Sequence, residues 1–172
     1  MSVRIRNNVR VSGDGPVTMA FAHGFGCDQS MWRYVAPWFQ DRYQTVLFDL
    51  VGSGRSDLSA YDYDKYGSLH GYATDVLEIV GEVASGPVIY VGHSVSAMIG
   101  MLAALEAPGK FAANVMVGPS PSFINDGDYV AAFHETILMG CSKRWKATTL
   151  AGQARWHRPS WEPLTSRNSV TN

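Results

Sequence analysis

A doubly wound α/β architecture, a mostly parallel sheet flanked by helices, is predicted for this chain by three observations. Four short, mainly apolar runs recur along it, at residues 17–22, 46–48, 88–91 and 115–117. Segments of helical period separate them. Three glycine-containing motifs each lie just after a run, where open α/β sheets bind their ligands. An uninterrupted apolar run suits a strand covered on both faces, the condition of a parallel sheet between helix layers.

The elements follow in order. Residues 8–12 alternate as a strand and run into Gly13-Asp14-Gly15-Pro16, a strong turn signal. After the run at 17–22, residues 30–39 carry Trp32, Val35 and Phe39 at helical spacing, with Asp28 placed as a cap. The run at 46–48 is the next strand. Residues 68–84 set Leu69, Tyr72, Ala73, Val76, Leu77, Val80, Val83 and Ala84 close to a 3.6-residue period, which predicts a long amphipathic helix. The run at 88–91 leads into residues 95–105, apolar nearly all round as in a helix packed on a sheet, and Pro108 stops that helix. The run at 115–117 is a further strand, and residues 128–139 predict one more helix, with Phe133, Ile137 and Leu138 on a face. Alternating strands and helices predict right-handed crossovers.

Residues 141–172 break the pattern. They hold six Lys or Arg and one acidic residue, Glu162, whereas the first 140 hold eight basic and fourteen acidic. No apolar period survives, and Trp145, Trp156 and Trp161 stand among Arg, Ser, Thr and Pro. This reads as a mobile or non-native end, such as a truncated or frame-shifted reading would leave, in preference to a basic interaction arm. No repeats are visible.

With 172 residues the chain is long enough for one ordinary domain with its own core. A net charge of −1 argues against nucleic acid or an anionic membrane as the main partner. Cys27 and Cys141 form neither a spaced framework nor a metal pattern, so a reduced, cytoplasmic setting is expected. No run is long or apolar enough for a membrane helix, and the N-terminus lacks the apolar core of a signal peptide.

Gly92-His93-Ser94-Val95-Ser96 is the most informative motif, because it joins a buried strand directly to a helix. A serine on such a turn is held in a sharp bend that lifts its hydroxyl out of the sheet. The residues two before and two after it must be small; Gly92 and Ser96 are, although glycine is commoner in both places. Ser94 is therefore the candidate nucleophile. The helix start aims N–H groups and a positive dipole end at a developing oxyanion, and the Val95 N–H is one candidate donor. Ala22-His23-Gly24-Phe25-Gly26 follows the first buried strand and can bring the Phe25 N–H in as the second. A plain strand-end turn would explain that loop alone; beside the serine motif the oxyanion reading is the stronger. The loop at 49–56 (Asp-Leu-Val-Gly-Ser-Gly-Arg-Ser) lacks both a Gly-Lys-Ser/Thr and a dinucleotide spacing, so it reads as a structural turn bordering the site, not a phosphate cradle.

These blocks resemble the α/β-hydrolase fold family. The wording His-Gly-Phe-Gly-Cys-Asp-Gln-Ser-Met-Trp, Leu-Phe-Asp-Leu-Val-Gly-Ser-Gly-Arg-Ser-Asp and Val-Gly-His-Ser-Val-Ser-Ala-Met-Ile-Gly is most similar to RsbQ-type sigma-factor-activating hydrolases and the plant karrikin and strigolactone receptors. Pro119-Ser120-Pro121 and Asn125-Asp126 fit the same group. The resemblance runs from about residue 5 to residue 139 and implies three segments: 1–125 as the N-terminal part of the hydrolase core, 126–140 as the start of a helical lid, and 141–172 as the atypical basic tail. It implies a Ser–His–Asp triad on Ser94, an apolar pocket with the Phe25 side chain on its wall, and an acid and histidine that come later, on roughly 100 further residues.

Within the chain no other base stands out. His23 belongs to the oxyanion loop and His70 opens the long helix; His93 should point away from Ser94, His134 falls in the lid segment and His157 in the tail. Asp49 and Asp57 lie near strand ends with no histidine at a plausible position. The reading is a serine hydrolase acting on a small apolar ester, lactone or similar acyl compound, needing no metal or organic cofactor, and impaired if the triad Asp and His are missing. Two alternatives stay open: a ligand-binding regulator that holds a small hydrophobic molecule and meets a protein partner, and an inactive fragment whose strand at 115–117 is an exposed edge.

Overall fold

The computed structural model describes residues 1–120, together with residues 122, 128 and 130. The chain runs through α1 (Val3–Arg6), β1 (Arg10–Ser12), β2 (Val17–Ala22), β3 (Tyr43–Phe48), α2 (Tyr63–Tyr66), α3 (Leu69–Val83), β4 (Val88–His93), α4 (Val95–Glu106) and β5 (Phe111–Val117), with short 3-10 turns between some of them. The strands form one sheet in the order β1-β3-β2-β4-β5. β1 pairs antiparallel with β3, and every other pairing is parallel. The expected mostly parallel α/β sheet is thus the observed one, and its four apolar runs are β2 to β5.

β2 shows why the runs are continuous. It sits between β3 and β4, and five of its six residues are buried. Successive side chains point to opposite faces of a sheet. Ala20 and Ala22 accordingly join a core with Val76, Ile79 and Val80 of α3 and Val95 and Ile99 of α4. Met19 and Phe21 join a second core with Trp32, Ala36 and Val91. Each fully buried Val or Ile there stabilises the fold by roughly 1.5–3 kcal/mol over its exposed state. With both faces covered, the strand has no solvent side on which polar residues could alternate.

Two expectations need correction. Residues 30–39 are not one helix but two 3-10 turns, Gln29–Trp32 and Ala36–Phe39. Pro37 explains the break, since it lacks an N–H and its ring would clash with a helical carbonyl four residues earlier. Asp28 does cap the first turn, accepting the Ser30 N–H at 2.7 Å. The first strand is also shorter than residues 8–12, because Asn8 takes φ 47 and the strand begins only at Arg10.

The unforeseen helix α1 is held by side chains far along the chain. Arg4 pairs with Glu82 at 2.7 Å, and Arg6 with Asp75 at 2.9 Å and Glu78 at 2.6 Å. Asp75, 1% exposed, is the centre of a polar knot. It also accepts from Lys65 at 2.6 Å, Tyr66 Oη at 2.9 Å and Asn7 Nδ2 at 3.4 Å. Asn7 Nδ2 lies 3.1 Å from the Asp49 carbonyl as well, so the knot reaches the loop after β3.

Among the described residues β5 is one edge of the sheet and β1 the other, and Val115, Met116 and Val117 of β5 are exposed. The segments expected at 126–140 and 141–172, with the helix at 128–139, His134 and His157, fall outside the described residues save for 128 and 130.

Candidate active site

β2 and β4 are parallel neighbours with Ala22 opposite Gly92, so the chain leaves both strands at the same end of the sheet. β3 and β4 lie on opposite sides of β2, which makes this a point where the connections change direction. Crevices open at such points. The segments that meet there are the two motifs 22–26 and 92–97.

Ser94 joins β4 to α4 with φ 56 and ψ −120. A side chain in this sparsely populated region costs of order 1–3 kcal/mol and persists only where the surroundings impose it. They do. The Ser94 N–H donates to the Val117 carbonyl at 2.8 Å, its carbonyl accepts from Ala97 at 3.0 Å, and Val95 and Ile99 anchor the helix in the core. Gly92 is required for the close approach, since a Cβ on it would lie 2.5 Å from the Ser96 carbonyl oxygen and 2.7 Å from the Ala97 nitrogen. Ser94 itself is half-buried, and its side chain does not cap the helix. As the first residue of α4, Val95 has no carbonyl one turn earlier in the helix for its N–H. The positive end of the helix therefore lies beside the hydroxyl.

The facing loop is a tight turn. Gly24 O accepts the Cys27 N–H at 3.2 Å, with Gly26 at φ 74 and Phe25 outside the positive-φ region, the pattern of a type II turn. It rests directly on the 92–96 motif: a Cβ at Gly24 would lie 3.2 Å from Ser94 Cβ and would collide with the His93 ring at Nδ1. His93 thus packs under the turn, and its Nδ1 is buried without a hydrogen-bond partner among the described residues. Phe25, on this turn, is 44% exposed.

Two buried polar groups, Ser96 and His23, fix this turn from below. Ser96 Oγ donates to the His23 carbonyl at 2.5 Å. The His23 ring accepts the Leu50 N–H on Nε2 at 3.0 Å, so its proton sits on Nδ1 and is donated to Gly24 O at 2.9 Å. A ring used this way is neutral, and its pKa is pushed below the usual histidine value, chiefly by burial. Asp49 lies beside His23, with Oδ1 4.0 Å from Nε2. The two make no ion pair, because Nε2 already serves Leu50. The Asp49 carboxylate instead accepts from Asn8 Nδ2 at 2.8 Å and from the Gln29 and Arg55 N–H groups at 2.8 and 2.9 Å. It folds the 49–56 loop upon itself, with Gly54 pressed against it at φ 56.

The remaining candidates do not gather at Ser94. His70 is exposed and lies 3.1 Å from Glu106, and Asp57 caps a surface turn by accepting the Ser59 N–H at 2.8 Å. The roles of Ser96 and Asp49 escaped the sequence reading. The serine in a place where glycine is commoner was the available signal for the first, and the Asn8–Asp49 contact has none. Among the described residues, no group of three or more His, Cys, Asp or Glu could hold a metal ion, and no helix is long and apolar enough to cross a membrane.

A sheet of this order, with a strained serine between β4 and the following helix and a glycine turn facing it, defines the hydrolase class of α/β folds. The chain belongs to the alpha/beta hydrolase family, whose model matches residues 19–169. It is 44% identical over 132 residues to a karrikin-insensitive 2 receptor of Petunia hybrida, covering 77% of this chain and 49% of that protein. A strigolactone esterase of Arabidopsis thaliana is 44% identical over 128 residues, covering 74% of this chain and 48% of the esterase. Among solved structures, a hydrolase from Oleispira antarctica superposes with a TM-score of 0.75 at 40% identity, covering 85% of this chain and 54% of that one. The chain spans about half the length of the curated relatives it matches.

Proposed function

We propose that the chain carries the nucleophile and oxyanion wall of a serine hydrolase acting on a small apolar ester, lactone or similar acyl compound. The backbone of Ser94, φ 56 and ψ −120 at the β4–α4 junction, is the observation that carries this reading. In it, Ser94 Oγ attacks the carbonyl carbon and loses its proton to a base, while the carbonyl oxygen becomes an oxyanion facing the Phe25 and Val95 N–H groups. Collapse expels the alcohol or ring oxygen and leaves an acyl-serine, which water then hydrolyses. One such donor is worth about 3–4 kcal/mol of barrier in comparable sites. No metal or organic cofactor enters the scheme, and a cytoplasmic setting suits it.

The described histidines leave the base unassigned. Both nitrogens of His23 are engaged, His70 is tied to Glu106 at the surface, and His93 lies under the glycine turn. Without a base a serine hydroxyl is a poor nucleophile at neutral pH, so with none assigned among the described residues the chain should acylate slowly. Incubation with a serine-directed fluorophosphonate and with p-nitrophenyl acetate tests this. We expect slow labelling confined to Ser94 and lost in Ser94→Ala; equal labelling of Ser94→Ala would overturn the assignment.

A second reading is favoured by one comparison, the receptor of Petunia hybrida. In it the site retains a small hydrophobic ligand and a regulatory protein reads the outcome. Ser94→Ala separates the two, because a hydrolase loses turnover whereas a binding module keeps its ligand affinity.

A further inference from the structure

Ser96 stands where glycine is commoner in such elbows, and its hydroxyl is not idle. It is wholly buried and donates to the His23 carbonyl at 2.5 Å, across from the helix to the loop after β2. The same residue's own carbonyl accepts Tyr90 Oη at 3.2 Å, so Ser96 is gripped from the strand side as well. His23 in turn donates from Nδ1 to Gly24 O, which also accepts the Cys27 N–H that closes the glycine turn. A continuous hydrogen-bonded line therefore runs from the second residue of α4 to the turn that carries Phe25.

We propose that Ser96 is a positioning residue, which ties the glycine turn to the start of α4 and so holds the Phe25 and Val95 N–H groups at a fixed separation about Ser94. The tether acts through the His23 main chain and touches no reacting atom. An oxyanion wall built from two separate segments works only if those segments cannot drift apart, since its donors must already be in place when charge develops. Glycine in the same place would fit the elbow but leave the His23 carbonyl without this donor. The catalytic part of the proposal rests on the serine-hydrolase reading given above; the tether itself does not.

Amide hydrogen exchange on the full chain, with Ser96→Ala and Ser96→Gly beside the wild type, decides the matter. Loss of one buried hydrogen bond should speed exchange at Cys27 about tenfold in both variants. Ile79 and Val80, in the middle of α3, should stay within about twofold. In parallel, the rate of Ser94 acylation by p-nitrophenyl acetate should fall about tenfold with KM unchanged, because the missing precision matters only once the oxyanion forms. Unchanged exchange at Cys27 overturns the tether. Exchange that rises by one common factor everywhere makes the hydroxyl a stability element only, and also overturns it. Faster local exchange with unaltered acylation removes the positioning role. If wild-type Ser94 does not acylate at all, the hydrolase reading fails while the exchange result still decides the tether.

Discussion

Two buried polar knots lie among the described residues, and they are built on opposite plans. The knot around Asp75 is closed: Arg6, Lys65, Tyr66 and Asn7 all converge on one carboxylate, and it joins α1 and α2 to α3. The knot under the glycine turn is open. It supports a residue at strained φ and ψ, leaves His93 Nδ1 unsatisfied among the described residues, and ends at a half-buried hydroxyl. Full satisfaction marks a network that serves stability, whereas strain and an unmet polar atom are expected where chemistry is done. Each perturbation below would break or sharpen that contrast.

The largest effect should come from the closed knot. Asp75→Ala leaves the Arg6 guanidinium, only 15% exposed, and the Lys65 ammonium without their shared partner. Removing one member of a buried charge cluster costs about 3–5 kcal/mol. Urea denaturation should show a loss of that size, with α1 then tied to α3 by the Glu78 and Glu82 pairs alone. A loss below about 1 kcal/mol would place the cluster with ordinary surface pairs and dissolve the contrast. Next in size is Gly92→Ala in the open knot. The added methyl meets main-chain atoms of Ser96 and Ala97, which cannot swing aside as a side chain could. Overpacking of this kind costs about 1–3 kcal/mol, and fluorophosphonate labelling of Ser94 should vanish with it.

The open knot was far more legible in the sequence than the closed one. Gly92-His93-Ser94-Val95-Ser96 announces its geometry within five consecutive residues, because strand, sharp bend and helix are all local. The runs that became β2 to β5 were legible for a similar reason, since covering both faces of a strand forces unbroken apolarity. Asp75 offered only a charged residue among Tyr72, Ala73 and Val76, and its partners lie up to 69 positions away at Arg6. Helix α1 escaped for the same reason, being four residues long and held by long-range ion pairs instead of its own propensity. The break at Pro37 could have been read from the proline itself. His23 could be placed in the loop after the first buried strand, but the Leu50 N–H that sets its tautomer comes from another strand end.

Strain at Ser94 gives a prediction of opposite sign. Ser94→Gly removes the Cβ that makes φ 56 unfavourable, so the protein should become more stable by about 1 kcal/mol while losing the hydroxyl. Thermal unfolding with a Tm raised by a few degrees would check this. A lowered Tm would mean that the elbow is relaxed as it stands and that the open knot stores nothing.

The last prediction concerns the pH response of the open knot. Burial holds the His23 pKa below its ordinary 6.5, against weaker opposing contributions from the Gly24 carbonyl, Asp49 and Asp28, and His93 lowers it further. The folded state therefore binds this proton less readily than the unfolded chain. Its contribution to stability is complete above pH 6.5 and is lost as pH falls through the depressed folded value. Between the two values the slope approaches about 1.4 kcal/mol per pH unit, since only the unfolded chain takes up the proton there. Protonation also turns Nε2 into a donor facing the Leu50 N–H, which breaks the bond that aligns the ring. Urea unfolding at pH 7.0, 6.0 and 5.5 should show the loss, and His23→Gln should flatten it across that window. Asp28 is the competing titration, but its pKa is lowered from a normal value near 3.8 by its bonds to Ser30, so it responds at more acidic pH. A profile that is flat for the wild type, or equally steep for His23→Gln, would show that the ring is not held neutral and that the Leu50 bond does not set its tautomer.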